Sequence, residues 1–372
     1  MALILRRNKR FTFLLLCALI MSCVFIMAGC DKEVEETAEI EEPETREQEN
    51  VITIVDDSSN VLTDSDKRVN GQAITLDRND SANGEGGPSA LSALSGFGGE
   101  DGSETVDEQD PDPSLSAAVE YGDKSEVPLD MSWQYADYSK INSGSAVFYK
   151  AAGNRKDFVV GVNAGHGTKG GTSVKTYCHP DKSPKVTGGT TAAGSIEAVA
   201  VSGGMSFNDG TSEASVNLKM ARALRDELLT RGYDVLMVRD GDDVQLDNVA
   251  RTVICNNVAD CHIAIHWDGD GLEYDKGCFY ISVPDGIKQM EPVSSHWEQH
   301  ERLGKSLISG LTKGGFKICG DGSTKIDLTQ TSYSTIPSVD IELGNQSGDH
   351  SDGYIRSLSL ALADGVDQFT SK

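Results

Sequence analysis

Apolar residues fall along the 372-residue chain in three regimes. An unbroken apolar run occupies 11–28. From 31 to about 130 only short isolated patches occur, such as 51–55, among Ser, Asp, Gly, Asn and Glu. Beyond 130, strand-length apolar runs alternate with helical periodicity. The runs 158–163 (FVVGVN), 233–238 (YDVLMV), 261–266 (CHIAIH), 277–283 (GCFYISV) and 338–343 (SVDIEL) predict buried or half-buried strands. Segment 213–230 places Val216, Met220, Ala223, Leu224 and Leu228 at three- and four-residue spacings and stops at Gly232, which predicts an amphipathic helix. Segments 245–258, 296–312 and 351–369 predict further helices, the last closing the fold. Strands interleaved with helices predict an α/β domain with a mostly parallel sheet flanked by helices.

Charge separates the same three regimes. The chain carries 33 basic and 58 acidic side chains, a net charge of −25. Phosphate neutralisation needs surplus Lys and Arg, so nucleic acid is excluded as a partner. Residues 31–130 hold 28 acidic and six basic groups, whereas 131–372 hold 30 and 23, so the domain-like part is only mildly acidic. The 31–130 tract has too little apolar surface to offset the entropy of ordering, and it predicts a disordered tether. A flexible chain of ~100 residues spans ~50–60 Å, and repulsion among the carboxylates extends it.

The first 30 residues form an address. Arg6, Arg7, Lys9 and Arg10 precede the apolar run, which ends in Met27-Ala28-Gly29-Cys30. A basic region, an apolar stretch and small residues describe a secretory signal; the run is also just long enough to span a membrane. Cys30 after Ala28-Gly29 resembles a bacterial lipoprotein lipobox, with Met27 where such boxes usually have Leu. The resemblance implies that Cys30 is the lipidated mature N-terminus. The remainder then lies on the outer face of the cytoplasmic membrane, facing the cell wall.

Chemistry-bearing residues gather at predicted strand and helix ends. His166 follows the first strand, His266 ends the third, and Glu213 opens the helix after the first strand. Ligands bind beyond the carboxyl ends of strands in open α/β sheets, and two His with one Glu are a donor set for catalytic zinc. Glu342 lies inside the apolar run of the last strand, where a charge is costly without a role or partner; beside a metal-bound water it suits a general base. Five cysteines remain after Cys30 with no C-x-x-C pair, and Cys255, Cys261 and Cys278 read as core thiols.

In order, Gly165-His166-Gly167, Glu213 with its helix, Arg251 followed by Ala264-Ile265-His266, and Val339-Asp340-Ile341-Glu342-Leu343-Gly344 resemble the zinc-dependent N-acetylmuramoyl-L-alanine amidase family. The resemblance covers about 157–369. It implies a twisted mixed sheet flanked by helices, zinc held by His166, Glu213 and His266, catalysis by Glu342, and peptidoglycan as substrate. The domain organisation expected is a signal at 1–30, a tether at 31–130 and a catalytic domain at 131–372.

The chain departs from the family pattern in three places. Thr168-Lys169 separate His166 from Gly170-Gly171, Trp267-Asp268 stand in the stretch after His266 that usually runs to an Asn, and the gap from His166 to Glu213 is long. Residues 168–208 are therefore an insertion that shapes the substrate groove or covers the metal. The insertion offers Glu197 as a second ligand candidate, and His179 as either a ligand or an ordinary loop residue. Arg251 either orients a substrate carboxylate or serves as a structural ion-pair partner. Asp340 and Asp268 are candidates to support the imidazoles, His262 suits a core or supporting role, and 330–337 (QTSYSTIP) suits a groove wall. His296, His300 and His350 are expected to be solvated. Two other classes stay open: a catalytically silent surface lipoprotein that binds wall peptide or a partner, and a zinc peptidase acting within the stem peptide.

Overall fold

The computed structural model describes residues 119–371. The signal segment with Cys30 and the acidic tract up to residue 118 lie outside the described residues. Ten strands form: β1 (Tyr121–Pro128), β2 (Ser145–Ala151), β3 (Val159–Ala164), β4 (Lys175–Tyr177), β5 (Glu197–Val199), β6 (Asp234–Met237), β7 (Cys261–Asp268), β8 (Cys278–Ser282), β9 (Ile318–Lys325) and β10 (Ser338–Asn345). The α-helices are α1 (Glu213–Thr230), α2 (Asn248–Val258), α3 (Val293–Lys313), α4 (Thr329–Tyr333) and α5 (Asp352–Thr370).

Eight strands make one sheet in the order β1-β2-β6-β3-β7-β10-β8-β9, and β4 and β5 pair separately. The centre is parallel: β6 with β3, β3 with β7 and β7 with β10. Antiparallel pairs join β1 to β2, β2 to β6 and β10 to β8, while β8 and β9 are parallel. The sheet is thus mixed and predominantly parallel, as the alternating pattern predicts. Central strands covered on both faces read as continuous apolar runs, and β6 is buried throughout.

Alternation along each strand divides the core. Val160, Val162, Ile263, Ile265, Val339 and Ile341 face the cluster built with Val216, Met220, Leu224 and Leu228 of α1, Leu303 and Leu307 of α3 and Leu358 and Leu362 of α5. Leu236 and Val238 face the other way, against Ala250, Ile254 and Cys255 of α2. Each apolar side chain so buried contributes about 1.5–3 kcal/mol. Helix α1 starts where Ser212 Oγ accepts from Ser215 N, and α2 where Asp247 accepts from Ala250 N. Among the described residues no helix is long and apolar enough to cross a membrane.

The ordered domain begins earlier than residue 131. Tyr121–Pro128, assigned from sequence to the tether, pairs with β2 from Tyr121↔Ala151 to Pro128↔Ser145. Seven of its eight residues are exposed, so the edge strand has no apolar alternation to betray it, and its backbone pairing holds it in place.

Candidate metal centre

The parallel strands β3, β7 and β10 end side by side, and the functional residues sit at those carboxyl ends. His166 adopts φ 62° and is followed by Gly167 at φ 69°. A non-glycine residue in this region costs on the order of 1 kcal/mol or more and persists where its surroundings fix it. Two buried arginines do so. Arg251 donates to His166 O at 2.7 Å and Ala164 O at 3.3 Å, and Arg239 donates to Ala164 O at 3.1 Å and Gly165 O at 3.0 Å. Burial pulls the Arg239 guanidinium down to about 10; burial together with the charge of Arg239 pulls Arg251 down to about 9. Both remain cationic at neutral pH.

His166 Nδ1 lies 3.0 Å from the Ser202 carbonyl. Ser202 Oγ lies equally close at 3.0 Å, so Ser202 holds Nδ1 through both of its oxygens and leaves Nε2 turned toward Glu213. That Nε2 lies 2.9 Å from Glu213 Oε2, and His266 Nδ1 lies 3.0 Å from Glu213 Oε1. The imidazole rings meet edge to face with centroids 4.6 Å apart. Glu213, fully buried, also accepts from Met205 N at 2.9 Å, Asn217 Nδ2 at 3.1 Å and Trp267 N at 3.2 Å. Burial opposes its ionisation, yet His166 and His266 hold its carboxyl well below the usual range.

His166, Glu213 and His266 each offer a donor atom, and these lie within 4.8 Å of one another, the one such metal-holding group among the described residues. The backbone makes room for them. A Cβ on Gly165 would collide with the His266 ring, and one on Gly204 (φ 82°) would lie 2.7 Å from His166 Cδ2 and 2.9 Å from Glu213 Oε2. Two imidazoles and a carboxylate in a glycine-cleared cradle fit a divalent ion such as zinc.

Glu342 is the register partner of His266 across β10 and β7, and Asp340 that of Ala264. Strand alternation puts both carboxylates on the face that carries His266, and all three line one cleft with His166, Asn163 and Arg251. Asp340 Oδ2 lies 3.6 Å from His266 Nε2. The insertion supplies the facing wall through Lys185, Gly189–Thr191, Ala198, Val199, Val201 and Ser202, and Leu328–Gln330 close the end. The expectation of a groove wall at 330–337 therefore holds for Gln330.

Several sequence expectations need correction. Arg251 does not reach for a substrate carboxylate: its five N–H groups go to Leu246 O, Asn163 Oδ1, Ala164 O, His166 O and Thr168 Oγ1. Glu197 is exposed on β5 and outside the donor cluster. His179 is neither a ligand nor an ordinary loop residue: it is buried, with Nδ1 2.8 Å from Ser183 Oγ and Nε2 2.8 Å from Asp327 Oδ1. His300, expected in solvent, is buried and accepts from Ser338 N at 2.9 Å. Asp268 pairs with Lys276. His262 is in the core, 3.3 Å from Ser338 Oγ, which agrees with its predicted role.

Four contributors escaped the sequence reading: Ser202, Arg239, Asn217 and Lys185. Two carried a signal. Arg239 directly follows a predicted parallel strand, and Asn217 stands one helical turn after Glu213, where side chains share a face.

Residues 160–366 match the family described as N-acetylmuramoyl-L-alanine amidase. No curated protein matches the chain. Among solved structures it is similar to the apo N-acetylmuramyl-L-alanine amidase Ami1 of Mycobacterium abscessus, at 20% identity over 58% of this chain and 99% of that one, with a TM-score of 0.47. Ami1 of Mycobacterium smegmatis is 17% identical over 58% and 98%, TM-score 0.49, and AmiC2 of Nostoc punctiforme is 17% identical over 59% and 100%, TM-score 0.41.

Proposed function

The chain belongs to the N-acetylmuramoyl-L-alanine amidase family, and from that premise we propose that it is a zinc-dependent hydrolase of the amide between the lactyl group of N-acetylmuramic acid and L-alanine in peptidoglycan. The observation that carries this reading is the meeting of His166, Glu213 and His266 within 4.8 Å, with Glu342 in register beside His266. His166, Glu213 and His266 hold the ion. When bound there, zinc supplies Lewis-acid polarisation of the amide carbonyl and acidifies the attacking water.

The remaining work belongs to side chains. Glu342 takes the proton of the attacking water on its carboxylate and delivers it to the L-alanine nitrogen as the C–N bond breaks. Asp340, 3.6 Å from His266 Nε2, orients that ring. Arg251 and Arg239 fix the carbonyls of the turn that aims His166, and Ser202 holds its Nδ1. The products are a glycan strand with a free lactyl acid and a stem peptide with a free L-alanine amino group.

Lipidation of Cys30 places the enzyme on the outer face of the cytoplasmic membrane, and the acidic tract provides reach toward the wall. The basic and apolar residues before Cys30 support this placement. Zinc stoichiometry on the full chain, with muropeptide mass analysis, tests the proposal. About one zinc per chain, lost in His166→Ala and Glu213→Ala, with lactyl ends in the digest supports it. Products cut within the stem instead identify a peptidase, and absence of both zinc and cleavage indicates a binding lipoprotein.

A further inference from the structure

The cleft beside the donor cluster is lined by two basic side chains of the Lys and Arg type, Lys185 and Arg251. Arg251 is fully committed, because a guanidinium has five N–H groups and all five are donated within the protein. Lys185 is not. Its ammonium has three N–H groups, and its one hydrogen bond among the described residues goes to the backbone carbonyl of Asp327.

Lys185 is built into the wall. Its backbone N–H donates to Ser195 O at 2.9 Å and its carbonyl accepts from Gly194 N at 2.8 Å. Behind it, the Asp327 carboxylate accepts from Val186 N at 2.8 Å and contacts His179 Nε2 at 2.8 Å. These bonds tie the insertion to the segment before α4. The residue is 8% exposed. A nearly buried ammonium with donors to spare is costly unless an anion completes its shell. The cleft also carries Asp268, Asp340 and Glu342, which repel an anion, so outside the donor cluster Lys185 is the lining cation with N–H groups left to meet one.

We propose that Lys185 is a specificity residue that binds a carboxylate on the peptide side of the substrate. The inference rests on the amidase reading and deepens it. The lactyl acid is consumed in the amide, so the carboxylates of a muramoyl-peptide are those of the stem. A cation on the insertion wall therefore selects stems with a free carboxylate close to L-alanine over stems in which that group is a carboxamide.

The test uses the full-length zinc-loaded protein and two soluble muramoyl-peptides that differ only in carboxylate or carboxamide at the second stem residue. The carboxylate substrate is favoured about 10- to 100-fold in kcat/KM, the range of one charge-assisted hydrogen bond, mainly through KM. The ratio collapses toward one in Lys185→Met, returns in Lys185→Arg, and shrinks with salt. Equal use of both substrates by the unmodified protein, or a ratio that survives Lys185→Met, overturns the inference. Equilibrium binding of L-alanyl-γ-D-glutamate separates this from failure of the amidase reading. Binding that weakens in Lys185→Met supports the site even where no lactyl amide is cut, and binding unchanged by that substitution overturns it.

Discussion

Glu342 of β10 stands in register with His266 of β7, at the carboxyl end of the parallel pair. The next ladder position is irregular, with Asn345 rather than a nearer residue opposite Asp268. Register is what puts the carboxylate and the imidazole on one face, because a slip of one residue would turn Glu342 into the opposite core. The buried neighbours Ile341 and Leu343 hold that register by their own burial.

Arg251 is a positioning residue. Arg251→Lys keeps the charge but offers three donors for five acceptors, leaving two buried groups unmet at about 1–3 kcal/mol each. Thermal unfolding moves to lower temperature, and zinc affinity by chelator competition falls about 10- to 100-fold. Unchanged affinity would show that the His166 turn does not depend on this arginine.

Gly204 clears space for the donors. Gly204→Ala sets a Cβ 2.7 Å from His166 Cδ2 at a backbone φ of 82°, so zinc affinity drops by at least about 10-fold while far-ultraviolet circular dichroism is retained. A variant that binds zinc as the parent does contradicts the cradle.

The buried imidazoles His262 and His300 give an acid-side stability slope. Burial depresses both to about 3 from 6.5, with the charge of Arg251 assisting at His262 and those of His296 and His262 at His300. Between pH 6.5 and about 3 the unfolded chain binds the protons that the fold refuses, so stability falls as pH falls through that window. Each contributes up to about 1.4 kcal/mol per pH unit. Denaturant titrations at pH 6.5 and 5 should show a smaller drop in His262→Asn and in His300→Asn; an identical drop would mean that these rings are charged in the fold.

Among the five free cysteines of the described residues, thiol titration of the native protein should be dominated by Cys319, the half-buried one. Burial pushes Cys178 up to about 11 and Cys278 to about 12, and raises Cys255 and Cys261 further. Of these five, a thiol-exchange reagent therefore meets one fast group before denaturant and the other four after it. More than one fast group among these five in the native state would contradict the packing around α2 and β7.

What was legible in the sequence follows from periodicity. The 213–230 helix matches α1 residue for residue because its apolar spacing and its Gly232 stop are local signals. The strand that leads to His166 and the strands that carry His266 and Glu342 were legible because central parallel strands are continuous apolar runs. Strand β1 was not, since its residues face solvent. His300 was misread because neighbouring Glu298 and Glu301 mark a polar stretch, whereas its hydrogen-bond partner Ser338 is remote in sequence. The links from Lys185 and His179 to Asp327 span more than 140 positions, and no local pattern announces such a pairing.

The most direct test of the central claim is muropeptide mass analysis with Glu342→Gln, run beside zinc determination on the same sample. The account predicts that zinc is retained and that release of the stem peptide from the lactyl group falls by at least about 100-fold, the scale of general acid–base catalysis. Undiminished release of L-alanine-terminated stems by the zinc-loaded variant would contradict it.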